Sequence, residues 1–244
     1  SKMKRITLLI LLSFISFSFA LGQSGDENKT YRPDIPGSFI IDFGFNNAQR
    51  PTVNGEKSPK DFKTGFFGSS TVNVYYQYPL RLGKSKFSFN PGAGFSFERF
   101  RFTNGVILDK VGQRYELVPG SNQFDGIQKT ILSEKYFDIP VEFRFDSKPE
   151  DIATSFNIAL GGRAGYMFDS MMKVKYIEDG EKKTNKDKQN FNLNQFRYGV
   201  YSRIGFGAFN LFFFYNLSPV FQPNVGPERT TMTTITTGIS INGF

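Results

Sequence analysis

The chain has 244 residues, with 30 Lys and Arg against 22 Asp and Glu, and it contains neither His nor Cys. That rules out a disulfide framework, metal sites built on histidine or cysteine, and histidine-activated nucleophiles. The net charge of +8 is spread along the chain rather than gathered in a stripe, which argues against nucleic acid as a partner.

Lys2, Lys4 and Arg5 precede an apolar run from Ile6 to Ala20. The run is about 15 residues long, short of the roughly 20 that a spanning helix needs. Small residues follow at cleavage spacing, so 1–22 is predicted to be a secretory signal peptide cut between Ala20 and Gly22. Residues 23–36 are polar and read as a flexible periplasmic lead-in. After them no apolar run is long enough for a helical span. Thirty Phe, 11 Tyr and 24 Gly with a mean hydropathy of −0.33 suit a β-barrel, in which every second residue meets lipid. Residues 37–244 are therefore expected to form a barrel in the outer membrane.

Period-two alternation marks eight strands. The first, Gly37–Asn46, sets Phe39, Phe43 and Phe45 against Ile40, Asp42 and Gly44. The second, Thr71–Leu80, sets Val72, Val74 and Tyr76 against Asn73, Tyr75 and Gln77. The third, Lys86–Phe102, has Phe95 and Phe97 on one face and Gly94, Ser96 and Glu98 on the other. The fourth, Thr130–Phe145, opposes Phe137, Ile139 and Phe143 to Asp138, Pro140, Glu142 and Arg144. The fifth, Ser155–Phe168, points Gly161, Arg163 and Gly165 inward, and the sixth, Asn192–Phe206, does so with Arg197, Tyr201 and Arg203. The seventh, Phe209–Leu217, is aromatic on both faces. The eighth, Thr233–Phe244, carries Ile235, Thr237, Ile239 and Ile241 against Thr234, Thr236, Gly238, Ser240 and Asn242. It is expected to meet the first strand, and Ile239, Ile241 and Phe244 to form a terminal signal read by the barrel-assembly machinery during insertion.

Connections alternate long and short, as extracellular loops and periplasmic turns do in outer-membrane barrels. Two long ones stand out. Lys173–Lys188 is highly charged and reads as a solvated loop, or as a dock for lipopolysaccharide phosphates or for a partner. Thr103–Lys129 carries Val106, Ile107, Leu108, Tyr115, Leu117 and Phe124. That is too apolar for a free loop, so either the strands extend and pair there or the segment contacts another protein.

An eight-stranded bore is just wide enough to be filled by side chains. Asp42, Glu98, Asp138, Glu142, Arg144, Arg163, Arg197 and Arg203 are expected to pair inside it as a structural network, with a ligand or ion site as the competing reading. Carboxylate chemistry at Glu98, Asp138 or Glu142 has no supporting spacing. Gly92-Ala-Gly94 and Gly161-Gly162 open no helix and are not nucleotide loops. The chain is read as non-enzymatic, with no cofactor. Pro91 and Pro140 lack an N–H and are expected at a bulge or a break in the ladder.

Tyr136-Phe-Asp-Ile-Pro-Val141, then Gly161-Gly-Arg-Ala-Gly-Tyr166 and Arg197-Tyr-Gly199, resemble the PorT-like outer-membrane barrels of Bacteroidota. The resemblance implies an eight-stranded barrel, some of whose relatives serve type 9 protein secretion and gliding. From the plugged bore, the lack of catalytic residues and the apolar second loop, two functions are expected: an accessory subunit of a larger outer-membrane complex, or a stand-alone barrel that binds surface ligands or strengthens the membrane through its loops. A narrow channel ranks last. Outer-membrane lipids and lipopolysaccharide are expected neighbours.

Overall fold

A strand edge left in lipid leaves each N–H and C=O unpaired, at several kcal/mol apiece, so a sheet that crosses a membrane closes on itself. The computed structural model describes residues 37–49, 52–53, 56–57, 64–65, 68–223, 225–227 and 232–243. The predicted signal peptide, the lead-in and Phe244 lie outside the described residues. Eight strands build the ring: β1 (Ser38–Gln49), β2 (Ser70–Gln77), β3 (Phe87–Phe102), β4 (Lys129–Asp146), β5 (Phe156–Glu178), β6 (Phe196–Phe206), β7 (Phe209–Asn216) and β8 (Thr233–Asn242). Each pairs antiparallel with its neighbours in the chain. β8 then pairs with β1, with Ile241 opposite Ile41 and Ile239 opposite Phe43, and the ring is closed.

The two faces divide as the alternation predicts. Outward side chains form an apolar band, with Phe143 60%, Leu160 63%, Phe206 67% and Phe209 68% exposed. A band of this size left bare to water would be anomalous; it is the lipid-facing surface. Aromatic pairs bridge neighbouring strands towards both of its edges. Phe87–Phe145 and Phe156–Phe206, each 5.3 Å between ring centroids, lie near the short turns, and Phe95–Phe137 (5.6 Å) and Tyr166–Phe196 (5.2 Å) lie towards the opposite edge.

Several predicted loops are sheet instead. β5 continues to Glu178 and pairs with Glu181–Asp187, so the charged stretch around Lys173–Lys188 is a hairpin. Asp179 and Gly180, at φ 53° and 77°, form its two-residue turn. Val106–Val111 pairs with Arg114–Pro119 in a second hairpin within the stretch read as a loop. β6 begins at Phe196, not Asn192.

β5 changes phase on its way up. Met167 pairs with Tyr136 but Asp169 pairs with Lys135, so a bulge adds one residue. Below it Arg163, Gly165 and Met167 are turned inward; above it Ser170, Met172 and Val174 are. One extra residue reverses which parity faces in. The prolines meet at a different place. Pro91 accepts from the Tyr78 N–H at 2.9 Å, which turns the backbone groups of the next residue, Gly92, towards β4. Opposite Gly92 stands Pro140, which has no N–H to offer, and the β3–β4 ladder lapses at Gly92 and Ala93 before resuming at Gly94 in unchanged register. The expected break is there, without a bulge.

Candidate functional site

The alternation turns short, polar and charged residues into the bore, and the structure ties them into two layers. In the upper layer Arg197 of β6 donates from Nη2 to Asp138 Oδ2 at 2.7 Å and from Nε to Oδ1 at 3.3 Å, and it also pairs with Glu98 of β3. Arg163 of β5 reaches Glu98 at 3.4 Å and donates to the Tyr75 hydroxyl at 2.6 Å. Tyr75 donates in turn to Asp138 at 2.9 Å, and Ser96 donates to the same carboxylate. The Arg197 guanidinium lies 3.7 Å over the Tyr136 ring, and that of Arg163 lies 3.6 Å over Phe214.

In the lower layer Arg203 donates to Asp42 at 3.0 Å and pairs with Glu142. Asn73 donates to the same carboxylate oxygen, Asp42 Oδ2, at 3.1 Å. The Arg203 guanidinium lies 4.5 Å over Tyr201. All seven charged groups of the two layers are at most 4% exposed. Isolated charges would not be tolerated at that depth; here each meets an opposite charge, and Asp42 and Asp138 accept further hydrogen bonds from neutral side chains. The upper layer balances two carboxylates with two guanidiniums, the lower sets two carboxylates on Arg203 alone, and together they fill the bore.

Seven of the eight residues expected in the lumen network thus come together. Arg144 does not join them. It sits below, on the short-turn side, and donates to Asp146 two positions along its own strand at 3.0 Å. Sequence reasoning missed the neutral members of the network. Tyr75, Ser96 and Asn73 were already on the inward parity, but a hydroxyl or amide gives no sign in sequence of which charge it will meet. Glu134 was missed as well; it is buried and accepts from Tyr136 at 2.6 Å.

The apolar stretch Thr103–Lys129 is folded inward. Val106, Ile107 and Leu108 are 3–5% exposed and pack with Phe100, Leu132 and Met172 of the barrel wall and with Phe191, Phe221 and Met232. Leu117 and Phe124 pack against the same cluster, Phe124 4.8 Å from Tyr176, and the Tyr115 ring stands 5.5 Å from Phe191. This corrects the expectation of a partner-contact surface for Val106, Ile107 and Leu108, which the chain's own wall covers; Tyr115, Leu117 and Phe124 are partly buried, and Val111 stays 53% exposed. Val106, Ile107 and Leu108 form a dry cap above the charged layers. Ile239 and Ile241 lie on β8 and close the barrel against β1 and β7.

A family model described as "Outer membrane protein beta-barrel domain" matches residues 14–222. No curated protein matches. Among solved structures, the chain is similar to Ail, the attachment invasion locus protein of Yersinia pestis. The identity is 14% and the TM-score 0.35, with 84% of this chain and 97% of that one covered. The same protein in complex with the heparin analogue sucrose octasulfate gives 14% identity and a TM-score of 0.32, with coverage again 84% and 97%. A multiple mutant of Rh. blastica porin gives 11% identity and a TM-score of 0.19, covering 84% and 99%.

Proposed function

The chain belongs to the outer membrane protein beta-barrel domain family, and we propose that it is a closed, non-conducting and non-enzymatic barrel that works from the cell surface through its β-hairpins. The observation that carries this reading is the double closure of the bore. Two layers of buried arginine–carboxylate pairs lie beneath an apolar cap supplied by Val106–Leu108. The short connections Ser147–Ser155 and Gly207–Ala208 lie at one end of the strands, with the first residues of β1 and the last of β8. Following the asymmetry of such barrels, that end faces the periplasm and the hairpins face outward.

A second reading, an accessory subunit of a protein-secretion or other outer-membrane complex, is supported by the PorT-like segment Tyr136–Val141. The plugged bore also suits it, whereas the apolar second loop supports it less, since Val106–Leu108 pack on the barrel wall. One experiment separates the two readings: affinity isolation of tagged protein from native membranes in mild detergent, followed by mass spectrometry. The barrel with lipid alone supports the first reading, and a stoichiometric large partner supports the second. Unitary current steps in planar bilayers would overturn the closed bore. Amino-terminal sequencing of the isolated protein tests cleavage between Ala20 and Gly22.

A further inference from the structure

Beyond the aromatic edge, the outward face of β3, β4, β5 and the Glu181–Asp187 strand becomes basic. Phe97 is the last outward aromatic of β3 in the band, and the next two outward positions are Arg99 and Arg101. At about 3.4 Å per residue these begin about 7 Å farther along the strand. The registers extend the pattern sideways. Arg101 stands opposite Ile131, Ile131 opposite Lys173, and Lys173 opposite Lys186. One step farther out, Lys129 stands opposite Lys175.

Two of these juxtapositions, Lys173 with Lys186 and Lys129 with Lys175, set like charges directly across a ladder, which destabilises a sheet. Among the described residues Arg99, Arg101, Lys129, Lys173, Lys175 and Lys186 form no ion pair. The acid of this face, Asp169, is paired with Lys135 at 2.7 Å, and Glu178 pairs with Lys183 on the hairpin's other face. The wall is also amphipathic. Ile131, between Arg101 and Lys173, is only 8% exposed, and Met171 lies beside Ser133 in the row below. Repelling cations interleaved with apolar side chains, immediately beyond a lipid-facing band, match a ligand that carries phosphates at the head of acyl chains.

We propose that this wall binds the phosphate groups of an outer-leaflet glycolipid of the lipid A type, and that the bound phosphates relieve the repulsion between its cations. The proposal rests on the outer-membrane placement, not on the choice between a stand-alone barrel and an accessory subunit. The test uses the full chain folded in nonionic detergent, with folding checked by the heat-dependent shift in electrophoretic mobility. Bisphosphorylated lipid A, the same lipid dephosphorylated, and inorganic phosphate are added in separate arms. Lipid retained after gel filtration and the thermal midpoint are measured.

Bisphosphorylated lipid A is expected to be retained and to raise the midpoint. In R101Q/K129Q/K173Q/K175Q, retention should fall at least tenfold, while K84Q/K148Q on the short turns retains lipid like the parent. A second variant, K175E, replaces one repulsion with an attraction to Lys129; it should raise the midpoint without lipid and still lose retention. The proposal is overturned if the quadruple variant or K175E holds the lipid as the parent does. Equal retention of the dephosphorylated lipid, or equal stabilisation by inorganic phosphate, would also overturn it.

Discussion

Asp138 and Arg197 face each other across a residue that has no side chain. Gly165 of β5 stands in register with Asp138 on one side and with Arg197 on the other, and their carboxylate–guanidinium fork closes over it at 2.7 Å and 3.3 Å. A Cβ on Gly165 would stand 2.0 Å from Asp138 Oδ1 and 3.1 Å from Arg197 Nε. Gly161 leaves a similar space one layer down, in register with Glu142 and Tyr201, and there the Tyr201 hydroxyl donates to the Val141 carbonyl at 3.4 Å. The lumen glycines are the spaces through which non-adjacent strands are tied.

Gly165→Ala is therefore expected to force the fork apart and destabilise the barrel by about 1–3 kcal/mol, the usual cost of overpacking. Gly162→Ala is the comparison. Its Cβ would meet only the Gly199 carbonyl, at 3.5 Å, so a near-neutral effect is expected. Urea unfolding of the two variants in lipid vesicles checks the difference, and equal losses would refute the spacing role of Gly165.

Removing the cation instead of adding a methyl should cost more. Arg197→Ala leaves Asp138 and Glu98 buried with Arg163 as their remaining cation, and a loss of about 3–5 kcal/mol is expected for a broken buried pair. Arg197→Lys keeps the charge but not the planar fork, and should recover only part of the loss. The same unfolding measurement decides, and a fully stable Arg197→Ala barrel would show that the network is dispensable.

Gly180→Val acts locally. A β-branched residue at φ 77° adds about 1–2 kcal/mol of backbone strain to the hairpin turn. The hairpin stands beyond the lipid-facing band, so amide exchange across Lys173–Asp187 should quicken while the global unfolding midpoint stays within error. Unchanged exchange would mean that the turn does not hold the hairpin.

Lys129 supplies a pH signature. Burial first, and then Arg101, Lys175, Arg99 and Lys173, hold its ammonium below the ordinary lysine range. The folded state therefore releases this proton before the unfolded state does. Between the lowered folded value and about 10.4, the unfolded chain binds the extra proton, so stability rises with pH across that span. Set against Lys129→Met, the parent should gain stability through this alkaline window. Parallel stability curves for the two proteins would remove the repulsive wall as a cause.

The extent of the sheet was only partly legible. Alternation located all eight barrel strands because lipid on one side and a filled bore on the other impose opposite demands on successive residues. It failed on the two outer hairpins for different reasons. Asp179-Gly180 is the dipeptide a tight hairpin turn needs, and it lay in plain view inside a stretch whose charge made it look like loop. Val106–Leu108 carry no alternation because all three are buried, on the cap and against the wall, and a short unbroken apolar run does not reveal what it will pack against.

Residue order alone settled that the chain is a closed antiparallel barrel with an apolar exterior and a charged bore, since periodicity and closure depend only on neighbours along the strand and on the solvent. Which inward charges meet was decided by stagger. Register brings Asp138 and Arg197 to either side of Gly165, the bulge between Met167 and Asp169 reverses the inward face of β5, and both depend on pairing between strands far apart in the chain. The same registers align Lys129 with Lys175 and Lys173 with Lys186, turning scattered cations into a single wall.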